Sequence, residues 1–109
     1  MDLHEAKTQL IAIRDNLPAD YSMNSARKLM SSFENYRRIS QSLGRDLSRI
    51  KSGIRSEFED IEWDIRSAIT GTPKKEAESA FSQARRQISA DINQILAADM
   101  QESSFDDIS

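Results

Sequence analysis

Hydrophobic residues recur at steps of three and four positions, without a break, from Ala26 to Ala68. Side chains with this spacing lie on one face of an α-helix, so the pattern predicts an amphipathic helix through the middle of the chain. The stripe keeps its phase across Leu43 and Leu47, which favours one very long helix over two. Its members are Ala26, Leu29, Phe33, Tyr36, Ser40, Leu43, Leu47, Ile50, Ile54, Phe58, Ile61, Ile65 and Ala68.

A shorter apolar stripe lies on each side of this segment. Leu17-Pro18 ends the first stripe, because a residue before proline is disfavoured in the helical conformation. Ser22 or Asn24 can then cap the next helix. The second stripe follows Thr70-Gly71-Thr72-Pro73, which suits the end of one helix and the start of another. The sequence therefore predicts three helices, over residues 3–16, 23–69 and 73–98.

These elements predict an all-α fold, in which the helices form an antiparallel, coiled-coil-like bundle with a very long central helix. A chain reversal at Gly71 would place Ile61 opposite Phe81, so that the apolar stripes of the last two helices meet. Because glycine is a poor helix former, a second arrangement stays open. If the chain breaks near Gly44, two hairpins close on each other as a compact four-helix bundle.

The domain organisation that follows is simple. Residues 1–100 form a single helical domain, and residues 101–109 form a flexible acidic tail. The tail carries two apolar residues, Phe105 and Ile108, among its acidic ones. Short segments of this kind can dock on another protein, so both residues are candidates for partner binding.

The continuous central helix would have a consequence for assembly. A rod only two helices thick buries little apolar surface, and its core is best completed by a partner. The simplest partner is a second copy of the chain, which would give a four-helix cross-section. We therefore expect a homodimer.

Composition narrows the class of protein and its location. Only 6% of the residues are aromatic and 30% are charged, which is typical of helical bundles rather than sheet folds. The chain has no cysteine, so disulfides and thiolate metal sites are excluded. The N-terminus has no apolar secretory segment, and no stretch is long enough to cross a membrane. We expect a cytoplasmic protein that does not bind membranes.

The net charge of -3 conceals two blocks of opposite sign. Residues 27–55 contain eight basic and two acidic residues, whereas residues 57–64 contain five acidic and no basic ones. Such blocks favour ordered self-association or pairing with a charged partner, although a solvated helix surface has the same composition. The basic stretch could also follow a nucleic-acid backbone. Its candidate partner-binding residues are Arg37, Arg38, Arg45, Arg49 and Arg55.

Residues suited to catalysis are few. His4 is the only histidine, and the three glycines are too scattered for a phosphate-binding loop. The carboxylates of Glu57, Asp60 and Asp64 fall on one helical face, where they could bind a divalent ion or act as acid and base. A solvated acidic face is the commoner explanation. We expect no enzyme activity, no cofactor and no metal.

Trp63 is the single residue that most suggests a function. It lies between the core positions Ile61 and Ile65, so it should point to the opposite, polar side of the helix. Tryptophan is enriched at binding hot spots. The sequence thus predicts a non-enzymatic helical interaction module, acting as a self-assembling adaptor or regulatory subunit. Two alternatives remain open, namely a small inhibitor that occludes a larger protein and nucleic-acid binding through the basic stretch.

Overall fold

A computed structural model describes the backbone of residues 3–43, 54–71 and 73–108, and the side chains of residues 4–43, 56–71 and 73–97. Within these ranges all regular structure is helical, which confirms the all-α prediction. Four helices are described, and we number them in chain order. They are α1 (Leu3–Asp15), α2 (Met23–Ser42), α3 (Ile54–Thr70) and α4 (Lys74–Ile108).

The helix ends follow local sequence signals. Helix α1 stops before Pro18, as the sequence predicts. Ser22 caps α2, and its side-chain oxygen accepts a hydrogen bond from the Ser25 backbone N–H at 3.0 Å. Gly71 follows α3 with a φ of 75°, a left-handed conformation that glycine adopts without steric cost. The turns around Pro18 and Gly71 are therefore encoded locally.

The prediction of one helix over residues 23–69 is wrong. Helix α2 ends at Ser42, and its aromatic rings pack against α3. The ring centroids of Tyr36 and Phe58 are 5.5 Å apart, and those of Phe33 and Phe58 are 6.3 Å apart. In a single helix, Phe33 and Phe58 would be separated by about 37 Å, at about 1.5 Å per residue. The connection between the two helices, including Gly44, lies outside the described residues.

The periodic stripe misled this prediction for a physical reason. Spacing of three and four residues shows which face of a helix is apolar, but it does not show whether two in-phase segments are joined end to end or folded face to face. Folding α2 against α3 turns the two halves of the stripe toward each other. Each half then covers the other within one chain, which removes more apolar surface from water than a continuous rod would.

The remaining contacts place α1 and α4 against the same core. Helices α3 and α4 form the most extensive of the described helix–helix interfaces. Helix α1 contacts both α2 and α4. Arg14 Nη1 donates to Asn93 Oδ1 at 2.8 Å, and Arg85 Nε donates to the Pro18 carbonyl at 2.8 Å. These bonds join the beginning of the chain to its last helix.

The core consists of the predicted apolar positions. Every member of the central stripe whose side chain is described is buried, and so are the described members of the last stripe up to Ile95. Burial of each large apolar side chain contributes about 1.5–3 kcal/mol relative to exposure. The buried residues of α2 and α3 on these stripes are Ala26, Leu29, Phe33, Tyr36, Ser40, Phe58, Ile61, Ile65 and Ala68, and those of α4 are Ala77, Phe81, Ala84, Ile88, Ile92 and Ile95.

Helix α4 is longer than predicted, because it ends at Ile108 rather than near Ala98. The segment after Ala98 contains no glycine or proline that would stop a helix. The side chains of Phe105 and Ile108 lie outside the described residues. Their role in docking, and the flexibility of residues 101–109, stay predictions.

Candidate interaction surface around Trp63

Trp63 projects from α3 into solvent. Its exposed fraction is 72%, whereas Ile61 and Ile65 are 1% and 0% exposed. Each residue of a helix is rotated by about 100° from the previous one, so a position two residues from both of these core positions faces away from the core. An isolated large aromatic on a polar surface is informative, because tryptophan is usually well buried. The orientation predicted from the sequence is confirmed.

A groove runs between α3 and α4 along one side of Trp63. We refer to it as the α3–α4 groove, and its volume is about 380 Å³. Carboxylates of α3 form one edge, and two glutamine amides of α4 form the other. Among the described residues that line it there is no lysine or arginine. The lining residues are Glu57, Asp60, Ile61, Trp63, Asp64, Gln83 and Gln87.

Two of the carboxylates in this groove, those of Asp60 and Asp64, repel each other. Partial burial raises the pKa of Asp64, and the neighbouring charge of Asp60 raises it further. The two residues are one helical turn apart, where like charges repel. Within the described part of the chain, neither Asp60 nor Asp64 pairs with a basic side chain. A cation bound in the groove would therefore reduce the repulsion between Asp60 and Asp64.

The other side of Trp63 has a different character. A shallower groove of about 260 Å³ is lined there by Glu59, Glu62, Trp63 and Arg66, and we call it the Arg66 flank. Glu62 Oε1 accepts from Arg66 Nη2 at 2.7 Å. Its second oxygen, Oε2, lies 3.5 Å from Arg37 Nη1. The charge of Glu62 is thus compensated within the chain, in contrast to the charges of Asp60 and Asp64.

The predicted basic residues are only partly brought to this surface. The Arg37 guanidinium pairs with Glu62 and lies 5.3 Å from the centre of the Phe33 ring, so it contacts a residue of the Arg66 flank rather than the α3–α4 groove. Arg38 is exposed and donates to Asn35 Oδ1 within its own helix, at 2.9 Å. The side chains of the other predicted candidates lie outside the described residues, and these are Arg45, Arg49, Arg55, Phe105 and Ile108.

Sequence reasoning missed a buried polar network beneath the groove. The carboxylate of Asp91 is 0% exposed. Its Oδ2 accepts a hydrogen bond from Tyr36 Oη at 3.1 Å, and its Oδ1 accepts one from Gln87 Nε2 at 2.8 Å. Burial, followed by the negative charge of Asp91, raises the pKa of Tyr36 well above its usual value. The phenol therefore stays protonated and serves as a donor.

A signal for Asp91 is present in the sequence. The residue comes three positions after Ile88 and four before Ile95, which is core spacing. Apolar spacing alone points to the neighbouring Ile92, and an aspartate is almost never fully buried without a partner. The partner, Tyr36, is 55 positions away in the sequence. Only the packing of α2 against α4 brings the two together.

Gln87 connects this network to the surface. It lines the α3–α4 groove, and its amide nitrogen donates to the buried Asp91. A carboxylate can only accept from an amide, so the bond fixes which end of the Gln87 side chain faces Asp91. The amide oxygen then remains to accept a hydrogen bond. The groove consequently offers acceptors from both of its edges.

Other kinds of site receive no support from the described residues. In that part of the chain, no cluster of three potential metal ligands occurs. No described helix is long and apolar enough to cross a membrane. Compared with protein-family models, curated proteins and solved structures, the chain gives no match. Its function is therefore inferred from the chemistry of the Trp63 surface.

Proposed function

We propose that this chain is a non-enzymatic helical interaction module, which binds another protein through the face of α3 that carries Trp63. The observation that carries the proposal is the 72% exposure of a tryptophan whose neighbours on the helix are polar. Leaving an indole in water forfeits the free energy of burying it, and tryptophan is among the residues that most often dominate binding energy.

The scaffold suits this role. We interpret the four helices as a compact four-helix bundle whose sequential neighbours are antiparallel, with a core that fixes α3 from both sides. Sites on packed helices hold their side chains more rigidly than sites on loops do, so binding at Trp63 costs little ordering of the backbone. An adaptor, a regulatory subunit and a small inhibitor would all use such a surface. They differ in what happens to the partner after binding.

Self-association is one way in which the Trp63 face could be used. The case for a homodimer came from a rod two helices thick, and the contact between α2 and α3 removes that requirement, because each covers the other. Light scattering decides the matter. A mass near 12.4 kDa means that the Trp63 face serves another protein, whereas twice that mass, lost in Trp63→Ala, means that it serves a second copy.

Nucleic-acid binding has weaker support than protein binding. The face that carries Trp63 is acidic, and a polyanion would be repelled by Asp60 and Asp64. On the same face, Arg37 is already engaged with Glu62. A nucleic-acid function would instead require the basic stretch, and it would be lost when Arg45 and Arg49 are changed to glutamate.

The test compares Trp63→Ala with Met23→Ala. Both replace a large hydrophobic residue that is exposed, since Met23 is 40% exposed and lies on a different helix. Proteins captured by the immobilised wild-type chain should be lost with Trp63→Ala and retained with Met23→Ala. Circular dichroism establishes that both variants remain helical. Equal capture by the two variants would contradict the proposal.

A further inference from the structure

We propose that the α3–α4 groove binds an arginine side chain from a basic segment of another protein, with the guanidinium held between Trp63 and the carboxylates of Asp60 and Asp64. This inference rests on the proposed interaction function and specifies the chemistry of the partner. Four features of the described residues support it.

The first feature is the charge of the groove. Three of its described lining residues are carboxylates, and none of the described ones is basic. Asp60 and Asp64 lie one turn apart with no cation of the described chain beside them. A bound cation would replace their mutual repulsion by attraction, and the partial burial of Asp64 strengthens that attraction relative to a fully exposed pair. Charge complementarity therefore selects a basic ligand.

The second feature is the direction of the hydrogen-bonding groups. Asp91 holds the amide nitrogen of Gln87, which leaves the Gln87 oxygen as an acceptor at the α4 edge. The α3 edge contributes carboxylate oxygens, which also accept. The amide of Gln83 can donate as well as accept, but the other polar groups named here are acceptors, so they favour a ligand with several N–H donors. Guanidinium supplies five donors in a planar fork, and it can bond two carboxylate oxygens at once.

The third feature is the position of Trp63 on the rim of the groove. The face of an indole attracts cations more strongly than the other aromatic rings do. Guanidinium, being planar and weakly hydrated, stacks on such a ring while its edge remains free for hydrogen bonds. Lysine offers a compact ammonium that cannot do both equally well. We therefore expect arginine to be preferred over lysine.

The fourth feature is the contrast between the two sides of Trp63. On the Arg66 flank, Glu62 is already paired with Arg66 and Arg37. The chain thus shows, one turn away, how it satisfies a carboxylate with its own arginines. Among the described residues no arginine pairs with Asp60 or Asp64, and an arginine from another molecule fits the same chemistry. The volume of about 380 Å³ suits a few side chains rather than a whole helix.

The experiment uses the full chain and the emission of Trp63, which is the only tryptophan. The probe is a synthetic helical peptide without tryptophan, which carries arginine and leucine on one face. Matched peptides carry lysine or glutamate in place of arginine. We expect the arginine peptide to shift the emission saturably, the lysine peptide to bind more weakly, and the glutamate peptide to have no effect. Added salt should weaken the binding.

Variants locate the binding in the groove. Asp64→Asn and Asp60→Asn should each lower the affinity for the arginine peptide by about fivefold or more. This loss corresponds to about 1 kcal/mol of binding free energy. Glu78→Gln removes the same charge from an exposed position of α4 outside the groove, and its effect should stay within about twofold. Unchanged affinity in both aspartate variants would overturn the proposal.

The remaining outcomes separate the two proposals. If the glutamate peptide or an uncharged peptide shifts the emission of Trp63 as strongly as the arginine peptide does, the proposed recognition of arginine is overturned. The interaction function then still stands. If no peptide binds and Trp63→Ala captures the same proteins as the wild type, both fail. If light scattering shows a dimer that Asp64→Asn dissociates, the occupant is a second copy, and the assignment to another protein is overturned.

Discussion

Tyr36 Oη donates a hydrogen bond of 3.1 Å to Asp91 Oδ2, across the buried interface between α2 and α4. Both side chains are fully buried, so neither group can exchange this bond for one with water. The bond therefore specifies how the two helices align, which an all-apolar core would leave less defined.

Removing the phenolic hydroxyl with Tyr36→Phe should lower the free energy of unfolding by about 1–3 kcal/mol, because Asp91 loses a donor in a site that water does not reach. Tyr21→Phe is the matched control. Its hydroxyl donates to the Ala68 carbonyl at 2.9 Å but is only partly buried, so we expect a loss of about 0.5–1.5 kcal/mol. Denaturant titration measures the free energy of unfolding of both variants. Equal losses would show that burial does not strengthen the contribution of the Tyr36 hydrogen bond.

Neutralising Asp64 should stabilise the protein while it weakens ligand binding. The pKa of Asp64 is raised in the folded chain, so protonation favours folding, and its contribution to stability falls as pH rises from 3.8 through the raised pKa. The groups that face it are Asp60 and Glu57 of α3 and the uncharged Gln83 and Gln87 of α4. At pH 7, Asp64→Asn should gain up to about 0.5 kcal/mol, typical of relieving a like-charge pair one turn apart.

The pH dependence of this gain provides the check. Thermal unfolding of both proteins should differ at pH 7 and converge below pH 3.8, where Asp64 is protonated in either state. A difference that is the same at both pH values would show that the asparagine acts through packing rather than through charge.

Gly71→Ala should destabilise the chain by about 1–2 kcal/mol, since a φ of 75° is unfavourable for any residue with a Cβ atom. The new Cβ would also lie 3.2 Å from Met23 Cε. That methyl ends a flexible side chain and can move aside. The double variant with Met23→Ala should therefore recover little of the loss, and full recovery would show crowding to be the cause instead of the backbone.

Arg85 stabilises the turn between α1 and α2. Its Nε donates to the Pro18 carbonyl at 2.8 Å in a partly buried position, so Arg85→Met should cost about 1 kcal/mol. The adjacent Arg86 is exposed, and Arg86→Met should change stability by less than about 0.5 kcal/mol. Hydrogen exchange should localise the effect of Arg85→Met to residues 16–22, and a uniform change across α2 would argue against this role.

Much of the fold could be read from apolar spacing. Phe33, Ile61 and Phe81 were predicted to be buried, and they are, because helical periodicity is a local property of the sequence. Local spacing does not determine the direction in which the chain continues after a helix ends. The sequence could not show that Phe58 lies against Tyr36, since that contact depends on how α2 and α3 pack together.

The candidate site was likewise predictable only in part from the sequence. The exposure of Trp63 was predictable from its position between two core residues. The partners of its neighbours were not, because Glu62 meets Arg37 only after α2 folds against α3. The role of Gln87 was the hardest to predict, since it depends on Asp91. Hydrophobic patterning does not identify a charged residue as buried.

Gln87 donates a hydrogen bond to Asp91 and also lines the groove. A substitution in the buried network would therefore also change the surface of the groove. The joint replacement of Asp91 by leucine and Tyr36 by phenylalanine would suit an apolar core and could stabilise the fold, as hydrophobic replacements of both members of a buried polar pair often do. It would also release the Gln87 amide to turn over and show its donors outward. Under the proposed recognition of arginine, such a replacement would therefore strengthen the fold and weaken the binding of the ligand.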